Sequence, residues 1–169
     1  MAEEIDSLIE HGAEGIGLYR TEYLYLNRRD LPTEEEHMRA YKQLVKRMSP
    51  NPAIIRTLDI GGDKSIGGID MGKEINPALG LRAIRYCLKN VDIFKTQLRG
   101  ILRASANGKI KVMFPMISGI DEIRRAKAVL EEAKAELKAE GRPFDPGIEI
   151  GVMIEVPSAA IIADMIVKE

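Results

Sequence analysis

The sequence predicts an α/β fold of parallel strands, and three observations predict it. Four short apolar segments, GIGLYR, PAIIRTLDI, KIKVMFP and GIEIGVMIEVP, are each followed by a helical pattern. They are mostly apolar rather than alternating with polar residues, as strands covered on both faces are. Three of the four carry a charged residue toward their ends, Arg20, Arg56 and Glu155. Parallel pairing brings such ends to one edge of the sheet, where ligands bind in α/β proteins.

Each element has its own justification. AEEIDSLIEHGAEG places Ile5, Leu8 and Ile9 at helical spacing, and Gly12 stops the helix. GIGLYR is the first strand. In LPTEEEHMRAYKQLVKRM, Thr33 is an N-cap and Glu36 follows three residues on, as a capping box requires. Met38, Tyr41, Val45 and Met48 then recur at helical spacing. PAIIRTLDI is the second strand, an apolar run around Arg56, and GGDKSIGGIDMGKEINP is a glycine-rich loop. ALGLRAIRYCLKN and VDIFKTQLRGILRASANG are two helices, the second ending at Asn107-Gly108. KIKVMFP is a third strand stopped by Pro115. GIDEIRRAKAVLEEAKAELKAEG is a helix with an apolar stripe of Ile120, Ile123, Ala126, Leu130, Ala133 and Leu137, and Gly141 lies just past its end. GIEIGVMIEVP is the fourth strand, and SAAIIADMIVKE opens a last helix.

Composition narrows the function classes. The 169 residues are the size of one domain, and 25 basic residues balance 26 acidic ones. That charge gives no electrostatic basis for nucleic acid or an anionic membrane surface, so any anion site must be local. Trp is absent and aromatic residues are 5%, which argues against stacking platforms for single-stranded nucleic acid. Cys87 is the only cysteine, which excludes an internal disulfide framework and suits a reducing cytoplasm. The N-terminal stretch has no signal-peptide pattern, and no apolar run approaches the roughly 20 residues that span a bilayer.

Two arginines and a carboxylate on one rim suit a phosphorylated ligand with a divalent cation. Arginine forks grip phosphate oxygens, and Mg²⁺ takes one or two protein carboxylates. The competing reading is a structural ion network, with Arg20 or Arg56 paired to Glu22, Asp59 or Glu155. Lys64 in DIGGDKS stands in a loop whose spacing does not match a P-loop. Arg85 reads as a solvated helix residue, His11 and His37 as surface residues, and Cys87, near Ile84 and Leu88, as a buried thiol.

From GAEGIGLYRTEYLYLNRRDLPTEEEHMRAYK onward the sequence resembles enzyme I of the bacterial phosphotransferase system. The likeness continues through IIRTLDIGGDK, NPALGLRAIR, QLRGILRASANGKIKVMFPM and IEIGVMIEVPSAA, and spans nearly the whole chain. Pyruvate phosphate dikinase and phosphoenolpyruvate (PEP) synthase are more distant relatives that share the arginine strands and the glutamate strand. LYRTE and LPTEEE are closer to enzyme I.

The resemblance implies an incomplete (β/α)8 TIM barrel of about four strand-helix units, with residues 1–169 forming part of a PEP-binding domain. It implies that Arg20 and Arg56 grip phosphate, that Arg82 and, more weakly, Lys64 bind substrate, and that Glu155 is one Mg²⁺ ligand. The parent reaction would move the phosphoryl group of PEP to a protein histidine and on to the carrier HPr for sugar uptake, in a cytoplasmic homodimer. The family's proton-donor cysteine, second metal carboxylate and phosphohistidine domain have no counterpart in these residues, and Cys87 is not that cysteine. The chain alone is therefore expected to be inactive. A piece of a dikinase or synthase, and a non-catalytic barrel fragment that self-associates, are the alternatives. Arg20, Arg56 and Glu155 are expected on adjacent strands, converging on one pocket.

Overall fold

The computed structural model describes residues 2–61, 76 and 80–169. Helix α1 (Ala2–Glu10) precedes four strand-helix units. Strand β1 (Ile16–Tyr19) leads through a 3-10 turn (Glu22–Tyr25) to α2 (Glu34–Met48). Strand β2 (Ala53–Arg56) is followed by α3 (Ala83–Lys89) and α4 (Val91–Ser105). Strand β3 (Ile110–Phe114) leads to α5 (Ile120–Ala139), and β4 (Glu149–Val152) to α6 (Pro157–Ile161) and α7 (Ala163–Ile166). The four strands are parallel in the order β1-β2-β3-β4. The fold is thus α/β with a sheet that does not close, a partial barrel.

Local chemistry sets the elements as the sequence predicts. Thr33 and Glu36 form the capping box that starts α2: the Glu36 amide donates to Thr33 Oγ1 at 3.3 Å, and the Thr33 amide to Glu36 Oε2 at 2.7 Å. Gly12 and Gly141, just past α1 and α5, adopt positive φ of 80° and 67°, a conformation only glycine takes without strain.

The helices cover one face of the sheet. Ala53, Ile55, Ile110, Val112 and Phe114 point into that core, where Phe94 meets Phe114 edge-on with ring centroids 6.0 Å apart. The opposite face is only half covered at Ile54, Lys111 and Met113. This differs from strands buried on both faces, because the sheet is open and nothing described packs over its concave side.

Two further expectations are corrected. His37 is buried, 1% exposed, and not a surface residue. It lies four residues before Tyr41 on the inward face of α2, and two tyrosine hydroxyls satisfy its ring. The last helix is two short ones, α6 and α7, broken at Ile162; consecutive β-branched Ile161 and Ile162 weaken helix there.

Candidate functional site

Parallel pairing gathers the ends of all four strands at one rim, and the charged residues concentrate there. Arg56 is the last residue of β2 and is buried. Its Nη2 donates to Glu22 Oε1 at 2.6 Å, and its Nη1 lies 3.1 Å from Asp59 Oδ2. Asp59 also accepts from Arg82 Nη2 at 2.7 Å. Glu22, Arg56, Asp59 and Arg82 thus form one chain of alternating charge in which two guanidiniums meet two carboxylates. The Nε of Arg56 and the Nε of Arg82 find no acceptor among the described residues.

Backbone features bring Arg82 to this chain. Arg82 precedes α3, and the next amide, that of Ala83, donates to Ile60 O at 3.0 Å. Gly61 faces Arg82 so closely that a Cβ there would run into the Arg82 side chain. That close approach holds Arg82 beside Asp59.

Arg20 and Glu155 occupy the same rim differently. Arg20, directly after β1, is exposed and has no ion-pair partner among the described residues. It is one of the residues lining an open groove of about 1000 Å³ between α1, β1 and α2. Glu155 follows β4, is exposed, and accepts from the Met116 amide at 2.7 Å. Arg20 and Arg56 therefore sit on adjacent strands, while β3 separates Arg56 from Glu155. Arg56 does reach past β3, its Nη1 lying 3.9 Å from Met153 Sδ. The structure joins Arg56 to Arg82 through Asp59, and it does not bring Arg20 into that chain. Lys64 lies outside the described residues.

The other polar residues sort clearly. Arg85 is half-buried, donates to Gly80 O at 3.2 Å and stands 3.9 Å from Glu122; it is tied to its surroundings rather than freely solvated. His11 is exposed, as expected. Cys87 is fully buried, and burial pushes its thiol up, so it is protonated and inert at neutral pH.

A buried polar network that sequence reasoning missed lies beneath the rim. Gln97 on α4 donates through Nε2 to Thr21 Oγ1 at 3.1 Å and to Tyr41 Oη at 3.3 Å. Its Oε1 accepts from the Leu58 amide at 2.9 Å. Thr21 in turn donates to the Arg56 carbonyl at 3.0 Å. Beyond Tyr41, His37 Nδ1 is 2.9 Å from Tyr41 Oη, and His37 Nε2 is 3.2 Å from Tyr25 Oη. Burial lowers the His37 pKa to about 4, so the ring is neutral. Because Gln97 donates to Tyr41, the Tyr41 proton points to Nδ1 and the Nε2 proton to Tyr25.

A metal ion fits these residues in one way only. Glu155 keeps one carboxylate oxygen uncommitted, and Mg²⁺ needs just one or two protein carboxylates. No group of three or more His, Cys, Asp or Glu side chains that could cage a metal occurs among the described residues.

Comparison with known proteins adds a family. The family model described as PEP-utilising enzyme, PEP-binding domain, matches residues 1–169. The chain is similar to the phosphoenolpyruvate-protein phosphotransferase of Priestia megaterium, 54% identical over 167 residues that cover 99% of this chain and 29% of that protein. It is 55% identical over 166 residues to the protein of the same name from Haemophilus influenzae, covering 98% of this chain and 29% of that one. The Geobacillus stearothermophilus protein of that name is 52% identical over 167 residues, at 99% and 29% coverage. The chain spans 29% of the length of these relatives.

Proposed function

The chain belongs to the PEP-utilising enzymes as a PEP-binding domain, and on that premise we propose that it supplies the PEP-gripping rim of a phosphoenolpyruvate-protein phosphotransferase. The observation that carries this reading is the set of three guanidiniums: Arg20 and Arg56 at the carboxyl ends of the parallel strands β1 and β2, and Arg82, at the start of α3, joined to Arg56 through Asp59. Residues 1–169 form part of one PEP-binding unit in this reading.

The geometry gives each residue a task. Glu22 and Asp59 hold the Arg56 and Arg82 forks in fixed orientation, so little reorganisation remains when an anion arrives. Two carboxylates also cancel two positive charges, which leaves Arg20 as the net attraction for a phosphate. Arg56 and Arg82 still offer fork geometry, and their Nε–H groups, without an acceptor among the described residues, add donors once the rim adjusts. Lys64 belongs to the same substrate set by its motif. Glu155 would hold Mg²⁺, which when bound neutralises charge on the transferring phosphoryl group.

Transfer then runs from PEP to a protein histidine and on to HPr for sugar uptake, by a cytoplasmic homodimer. The names of the relatives support the first step, and the enzyme I likeness of LYRTE and LPTEEE supports the rest. No described helix is long and apolar enough to cross a membrane.

The test is phosphoryl transfer from PEP by the protein as expressed from its own gene, with Arg56→Lys and Arg20→Ala variants. Arg56→Lys keeps the charge but loses the fork, and a drop in kcat/KM of about a hundredfold is expected. Wild-type kinetics for both variants would overturn the proposal.

A further inference from the structure

We infer that Thr21 and Gln97 are positioning residues for the PEP-gripping rim; this rests on the function proposed above. Neither side chain reaches the rim surface, since both are fully buried. Between them they nevertheless hold the backbone at two points of the Arg56–Asp59 segment, the Arg56 carbonyl and the Leu58 amide. Thr21 lies between Arg20 and Glu22 in the chain, and its hydroxyl fixes the Arg56 carbonyl at 3.0 Å. Gln97 fixes the amide of Leu58, the residue before Asp59, at 2.9 Å. The Gln97 amide and the Thr21 hydroxyl meet at 3.1 Å, so the two holds form one bridge.

The polarity of the bridge is determined. Gln97 Oε1 is taken by a backbone donor, so its NH₂ faces Thr21 and Tyr41. Thr21 Oγ1 therefore accepts from Gln97 and has its own proton for the Arg56 carbonyl. A hydroxyl is the only small group that does both. The strand ends β1 and β2 are thereby locked in relative height from behind by α4. The ladder does not do this alone, because the β1–β2 register shifts between Ile16 and Tyr19. The spacing between Arg20 and the Glu22–Arg56–Asp59 chain then depends on the bridge.

The test measures PEP saturation kinetics and thermal melting of the protein as expressed from its own gene. Thr21→Val keeps the shape and removes the hydroxyl; Thr21→Ser restores it. Arg56→Lys is the control for the site itself. Thr21→Val is expected to raise KM for PEP about tenfold or more while the protein stays folded at assay temperature, and Thr21→Ser to return KM to near the wild-type value. If Thr21→Val melts too early to assay, Gln97→Met takes its place with the same expected rise. A wild-type KM in the folded variant, or an equal rise in Thr21→Ser and Thr21→Val, overturns the positioning role. If Arg56→Lys is also unaffected, the site reading fails with it; if Arg56→Lys is impaired, only the positioning role fails.

Discussion

His37 is expected to make folding stability fall as pH drops from about 6.5 toward about 4. The ring is 1% exposed, and its neutral form is held between two tyrosine hydroxyls. Glu36 opposes the lowering and Arg28 adds to it, but burial dominates. Because the folded pKa lies below the ordinary value of 6.5, the unfolded chain takes up the proton first. The stability is complete above that ordinary value and is lost progressively below it. One pKa unit corresponds to about 1.4 kcal/mol, so the two values imply about 2 kcal/mol lost between roughly pH 7 and pH 5. Carboxylates held low by neighbouring cations, such as Glu136 beside the Lys95 ammonium and the Arg99 guanidinium, add their loss mainly below that window. Urea unfolding of the wild type and His37→Gln at several pH values separates the two contributions, since only His37 differs. The variant is expected to be less stable at neutral pH and flatter with pH. Equal pH slopes for the two proteins would refute the assignment of a neutral buried ring.

Gly100→Ala is expected to lower stability by about 1–3 kcal/mol despite better helix propensity. Its methyl would collide with His37 Cβ and stand 3.2 Å from the Glu34 carbonyl; a raised Tm would contradict the close packing of α2 on α4. Arg99→Met is expected to cost about 1–2 kcal/mol, less at high salt. Arg99 joins α4 to Glu34 of α2 at 2.6 Å and to Glu136 of α5 at 3.0 Å, and chemical denaturation with and without salt measures the loss. The 169-residue chain by itself is expected to self-associate. Among the described residues the outer edges of β1 and β4 are unpaired, and Ile161 and Val167 are 82% and 80% exposed. Light scattering over a dilution series should show mass rising with concentration, and a cooperative monomer throughout would refute this.

Most of the architecture was legible because its signals are local. The Thr33–Glu36 pair, the stripe of α5 and the strand-end charges each depend on neighbours in sequence. The paired carboxylates Glu22 and Asp59 were named in advance as partners of Arg56, and both are. The buried network was not legible because it depends on what lies opposite. Gln97 sits among Phe94, Leu98 and Ile101 on the apolar face of α4, a position that signals burial but not the partner. His37 shares its face with Tyr41 and Val45, so the helical period did point inward. Its polarity argued for the surface, and the hydroxyls of Tyr41 and the more distant Tyr25 explain together why it is tolerated. The half-open concave face was hidden too, since apolar strands read alike whether a sheet closes or not.

The strand order has a consequence for how the chain is made. Each strand pairs with the one emitted just before it, so no early segment waits for a distant partner. As synthesis proceeds, β2 meets a β1 already present, then β3 meets β2, and β4 meets β3. A growing template of this kind keeps loop closures short and limits the time any strand edge stands alone. Among the described strands, the two edges without a partner are the outer edges of β1 and β4, the places where a chaperone would first find purchase.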